Sequence, residues 1–251
     1  MSVVQYYANE KPIIFVIALF VVETVIAFPF VAAFKLAGLD IVPLRLIIPV
    51  VQSALMLWVI WHLGWFRLAG FTRSVRDIHI YWYPVILAFI PALFYGTVAI
   101  PAGWLTFYAL ALLFTGISEE SFARGIALPA LRSRGKWFAL LFAALLFSIG
   151  HFVNLFFEDF GLVEMADKLL ATFGFAILFG GVFIRTGNIW PLIVLHTLFD
   201  YSYLTSGTAG PYVAEPISIP LHAVLAVANI AYGVYVAAGA DWGGGREEGG
   251  H

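Results

Sequence analysis

The stretch TGISEESFARG, Thr115 to Gly125, sets two adjacent carboxylates, Glu119 and Glu120, and one guanidinium, Arg124, between two long apolar segments. A charged group near the centre of a bilayer costs somewhere between about 2.5 and 10 kcal/mol or more, depending on the scale. Three ionisable groups within six residues therefore need one another or a polar cavity. In a helix, Glu120 and Arg124 lie four apart on one face, in the acid-before-base order that favours pairing. Glu119 is turned away from that face by about 100°. The pattern predicts one acid neutralised locally and one, Glu119, that finds its partner elsewhere in the chain.

The surrounding composition says what the apolar segments are. Of 251 residues, 62% are hydrophobic and only 11% are charged, with a mean hydropathy of +0.95. Globular domains carry about 25% charged residues, so the chain reads as a polytopic membrane protein. The net charge of −2 and the lack of any basic block give nothing to grip phosphates, so nucleic acid is not an expected partner. There is no cysteine, which removes disulfides, thiol nucleophiles and thiolate metal sites. The first apolar run, roughly Ile13 to Phe34, is too long for a signal-peptide core and is expected to be retained.

Runs of about 17 to 25 mostly apolar residues mark the spans. They predict an all-α polytopic integral membrane protein, with about eight transmembrane helices around a polar intramembrane cavity. The spans fall near residues 12–37, 43–64, 80–97, 101–119, 137–157, 168–185, 188–206 and 216–239, the fourth continuing as helix through Arg124. Residues 1–240 form a single membrane-embedded domain, and the Gly-rich charged tail 241–251 is expected to be disordered and cytoplasmic. Ten of the thirteen Lys and Arg residues, including Lys11, Arg67, Arg132, Arg134, Lys136 and Arg185, fall on the side of the N-terminus; Lys35, Arg45 and Lys168 fall on the other. That bias predicts cytoplasmic N- and C-termini in a cell (inner or plasma) membrane. Phe66 to His79 interleaves arginines with apolar residues, which fits either a helix lying in the cytoplasmic interface or a solvated basic loop.

Two further spans carry ionisable groups: His151 in LLFSIGHFVN, and His196 with Asp200, four apart, in PLIVLHTLFDY. Each cluster alone has an ordinary structural reading, as a helix–helix hydrogen bond or a buried clamp. Together they suggest a shared interior cavity, because lipid solvates none of them. Their chemistry is coherent. A carboxylate in a partly dry pocket can act as general base toward water, and a neighbouring His can hold that water. A second His, its tautomer fixed by an Asp, can donate to an oxyanion. That set can hydrolyse an amide without a covalent intermediate. GxSxG, HExxH and GxGD are all missing. Zinc held by Glu119, His151 and His196 stays open on residue type alone.

EESFAR, FSIGH and HTLFD fit the patterns EExxxR, FxxxH and HxxxD, and Arg185, Gly187 and Asn188 precede the last histidine. In this the chain resembles the CAAX-protease and bacteriocin-processing (CPBP, or Abi) family of intramembrane glutamic endopeptidases. These are relatives of the eukaryotic CAAX prenyl endopeptidase, and the likeness runs from about Leu110 to Ser202. The resemblance implies an eight-helix fold with a conical cavity open to the cytoplasm and the lipid. It also implies a metal-independent peptidase without cofactors, acting on a peptide or membrane-protein substrate. Glu119 and His151 would activate water, His196 and Asp200 would stabilise the oxyanion, and Glu120 and Arg124 would support the site. Asp200 stands where prenyl endopeptidases usually carry Asn, so it must be protonated there or act by orienting His196. A non-catalytic partner, such as a bacteriocin-immunity or scaffold protein, is the alternative. A proton-coupled carrier fits worse, since no inverted repeat is visible. Glu23, inside the first span, has no place in these motifs, and His62, His79 and His222 are assigned no role.

Overall fold

The computed structural model describes residues 1–72, 77–156, 161–206 and 218–242. A backbone in hydrocarbon must satisfy its own hydrogen bonds, and the apolar runs accordingly form helices. A short helix, α1 (Val3–Glu10), is started by Ser2 and Gln5 capping each other's backbone N–H groups, and it leads into α2 (Pro12–Leu36). α2 breaks at Ile26 because Pro29 has no N–H for the carbonyl of Val25. Then follow α3 (Leu44–Leu63), α4 (Ile78–Tyr95), α5 (Ala102–Ala130), α6 (Lys136–Gly150), α7 (Leu162–Thr186), α8 (Trp190–Leu204) and α9 (Ser218–Ala238).

Seven of these helices are long and apolar enough to cross a membrane. The eighth, α8, has 15 residues and rises only about 22 Å, short of the roughly 30 Å hydrocarbon core. The all-α polytopic architecture expected from hydropathy is thus present, with α8 as a short helix held among longer ones. α7 is the central element: 67% of its apolar window is buried, against 17 to 39% for the other spans. It packs closely on α9 through small residues. A Cβ on Gly181 would collide with the carbonyl of Gly233, and one on Gly174 would meet the backbone of Ala226 at 2.9 Å.

The bundle has two distinct ends. At the first, the carbonyls that finish α9 receive basic side chains: Lys136 Nζ donates to the oxygens of Ala237 at 2.7 Å and Ala240 at 2.9 Å, and Arg185 donates to Gly239. Arg132 Nε reaches the carbonyl of Trp242 at 3.0 Å, and Arg185 pairs with Asp77 at 2.9 Å. Cations suit a helix C-terminus, where unpaired carbonyls gather negative potential. At the second end, the turn after α4 meets the end of α8, Val98 N donating to Thr205 O at 2.9 Å.

One expectation is adjusted here, and one lies beyond the described residues. Over its described part, the segment Phe66 to His79 forms turns at 66–70 and the 3-10 turn that opens α4, not a continuous interfacial helix. Gly70, at φ +81°, accepts from Ile189 N, and Phe71 meets the Trp190 ring at 5.2 Å, so the loop is stapled to the start of α8. The expected disordered tail lies outside the described residues beyond Trp242.

Candidate active site

α5 delivers the two glutamates. It is α-helical through Glu120, widens into a π-helix over Ser121–Ala127, and resumes as α-helix to Ala130. All seven residues of the wide turn are buried. Such π segments recur at functional sites because they re-aim side chains without ending the helix. The predicted Glu120–Arg124 pair forms at 3.1 Å, with the two side chains 0% and 1% exposed. Arg124 also donates to the carbonyl of Ala176 at 3.3 Å and lies 5.1 Å from the ring centre of Phe147 and 5.6 Å from that of Phe179. Two aromatic faces and a carbonyl thus solvate a guanidinium that water does not reach.

Glu119, rotated off that face, points the other way and keeps 31% of its side-chain exposure. Its partner is His196 on α8, whose Nε2 lies 3.6 Å from Glu119 Oε2. What lets α5 and α8 approach is Gly116. A Cβ there would stand 2.9 Å from Thr197 Oγ1 and 3.2 Å from the carbonyl of Ile193. Glu119 and Glu120 follow Gly116 by one turn, and His196 follows Ile193 by one turn, so the close crossing carries all three together.

His196 is held from both sides. Its Nδ1 lies 2.7 Å from Glu120 Oε1. A carboxylate only accepts, so Nδ1–H is the donor and Glu120 fixes the orientation of the ring. Phe175 packs at 4.9 Å, nearly edge-to-face. Nε2 then faces the space shared by Glu119 and by Asp200, whose Oδ2 is 3.4 Å away. The ring-orienting carboxylate is therefore Glu120. Asp200, expected behind the ring, lies on the same side as Glu119.

His151 ends α6, where its Nδ1–H donates to the carbonyl of Phe147 at 2.9 Å, leaving Nε2 as an acceptor. Glu119, His151, His196 and Asp200 all line one cavity of about 540 Å³, which takes residues from each of α2 to α9 or their ends. Among the described residues, no group of three or more His, Asp or Glu side chains is placed to hold a metal ion.

Among the lining residues that the motifs do not include are Glu23, Lys168 and His222. Glu23 Oε1 accepts from Ser118 Oγ at 2.9 Å, so the acid of the first span is tied to the residue beside Glu119. Gln52 reaches the Glu23 carbonyl at 2.9 Å, next to the break in α2. His222 sits with Asp167, Nδ1 to Oδ2 at 2.6 Å, and so has a partner that its position near a span end did not suggest. The sequence signal for Glu23 was its cost alone, an acid in mid-span with nothing local to offset it.

Compared with protein families, the chain is similar to the type II CAAX prenyl endopeptidases described as Rce1-like, over residues 101–202. Those residues hold α5 to α8 and with them Glu119, Glu120, Arg124, His151, His196 and Asp200. The match supports an intramembrane protease in general terms. Comparison with curated proteins and with solved structures finds no match.

Proposed function

We propose that this membrane-embedded relative of the Rce1-like type II CAAX prenyl endopeptidases hydrolyses a peptide bond inside its cavity by direct attack of water. The observation that carries the reading is the meeting of Glu119 with His196 Nε2 at 3.6 Å in a cavity also lined by His151. Glu119 takes a proton from the water as its oxygen bonds to the scissile carbonyl carbon. His151, with Nε2 free to accept, holds the water in line. The carbonyl oxygen becomes an oxyanion and receives a hydrogen bond from Nε2–H of His196, the ring carrying a proton on both nitrogens in this step, while Glu120 accepts from Nδ1–H. The carbon–nitrogen bond then breaks and Glu119 returns its proton to the leaving amine. The products are a carboxylic acid and an amine, and the residues act as a glutamic-type peptidase with no metal in any step.

Asp200, 3.4 Å from Nε2, repels an oxyanion if ionised, so in this scheme it is protonated in the reacting complex and donates a second hydrogen bond. The test is cleavage by protein reconstituted in liposomes, read by mass spectrometry on a peptide library. Glu119→Gln should abolish cleavage while leaving thermal unfolding unchanged. Products formed by the E119Q variant at the wild-type rate would remove Glu119 as the base.

A further inference from the structure

The cavity has a floor and a mouth. Its floor is Phe122, Phe147 and Phe175. Behind these lie Arg124, Ile126, Leu128 and Ile189, none more than 1% exposed. On the other side it is lined by Tyr95 and Leu204, the last residues of α4 and α8, and by Leu221 in the first turn of α9. Among the described residues, the cavity therefore reaches the end of the bundle where α5, α7 and α9 begin.

Chain direction and contacts assign the basic residues to ends. Lys11, Arg67, Arg132, Arg134, Lys136 and Arg185 lie at the closed end, where Arg132, Lys136 and Arg185 grip the segment that finishes α9. Lys35, Arg45 and Lys168 lie toward the open end. Excess Lys and Arg in short loops stay in the cytoplasm during insertion. A cavity open to the cytoplasm, which the family resemblance implies, would require the strongly basic end to be translocated.

We infer that the cavity opens to the extracytoplasmic face. Resting on the peptidase reading, its substrate class is a peptide segment presented from that face: an exported peptide, or an outward loop or tail of a membrane protein. The reacting segment descends between the ends of α4, α8 and α9 to reach Glu119 above the phenylalanine floor. A tail presented in the cytoplasm meets the closed end.

The chain has no cysteine, so a single introduced thiol reports its own position. Leu39→Cys marks the exposed turn after α2 at the open end, Leu221→Cys marks the cavity wall, and Arg134→Cys marks the basic end. Sealed right-side-out spheroplasts are treated with a membrane-impermeant charged maleimide, before and after permeabilisation. L39C and L221C should label on sealed spheroplasts, and R134C should stay unlabelled until the membrane is opened. Labelling of R134C from outside overturns the orientation. Labelling of L39C with L221C silent until unfolding overturns the open mouth. None of these outcomes depends on cleavage, so loss of the peptidase reading would leave the labelling pattern intact and the two failures stay distinct.

Discussion

Replacing Arg124 with Met removes one of the two fully buried charges beside His196. The guanidinium is 1% exposed, bonded to Glu120 at 3.1 Å and to the carbonyl of Ala176 at 3.3 Å, between the rings of Phe147 and Phe179. Removing one partner of a buried pair leaves the other charge uncompensated, at a cost of about 3–5 kcal/mol. Methionine fills much of the vacated volume, so a cavity term adds little. Arg124→Met should therefore lower the unfolding free energy by about 3–5 kcal/mol. Adding Glu120→Gln removes the stranded charge while leaving an amide oxygen for His196 Nδ1. The double variant should recover about 2–3 kcal/mol of the loss, a coupling of the size that contacting residues show. Reversible unfolding in mixed micelles, followed by the fluorescence of the eight tryptophans, measures both values. An R124M variant within about 1 kcal/mol of the parent would refute the buried pair, since breaking one costs more than that. So would a double variant no more stable than R124M.

Two further outcomes follow from the α5–α8 crossing and from Asp200, both read with a peptide whose cleavage depends on Glu119. Gly116→Val puts side-chain atoms where Thr197 Oγ1 would be 2.9 Å from the Cβ and Ile193 O 3.2 Å away. The helices must separate, and since a 1 Å misplacement can cost about 100-fold, cleavage should fall roughly 10- to 100-fold. Overpacking should lower stability by about 1–3 kcal/mol at the same time. Undiminished cleavage would show that the crossing does not set the distance between Glu119 and His196. Asp200→Asn keeps a hydrogen-bond donor 3.4 Å from Nε2 without a charge, so its cleavage rate should stay within about tenfold of the parent. Asp200→Ala removes the donor and should cost about 100- to 1,000-fold. Equal losses in both variants would mean that the ionised carboxylate is what the site uses.

The division of labour between the two glutamates was legible before any coordinates, because it follows from helical geometry. Spacing of four joined Glu120 to Arg124, and rotation by about 100° per residue set Glu119 apart. The all-α polytopic type was legible for a similar reason, since hydrocarbon allows little besides helix for an apolar run of that length, whereas the eighth expected span is a helix of only 15 residues. Of the two readings of Phe66 to His79, the described part fits the loop and not the helix, because Gly70 and Phe71 are committed to contacts with Ile189 and Trp190, far along the chain. Nor could Glu120 be seen as a partner of His196, 76 residues away. That contact exists because a glycine faces a threonine at one crossing, and helix packing in lipid rests on small residues that leave no periodic mark.

By itself, then, the order of residues determined which segments enter the membrane, where charge could not sit unpaired, and which end of the bundle is basic. These are one-dimensional consequences of transfer energy. Only the tertiary structure decided which helices cross closely, that Glu23 and His222 share the cavity with Glu119, and that the cavity reaches the ends of α4 and α8 and the start of α9. The physical reason is that burial cost can be summed along a chain, whereas the position of an opening depends on how eight helices lean against one another.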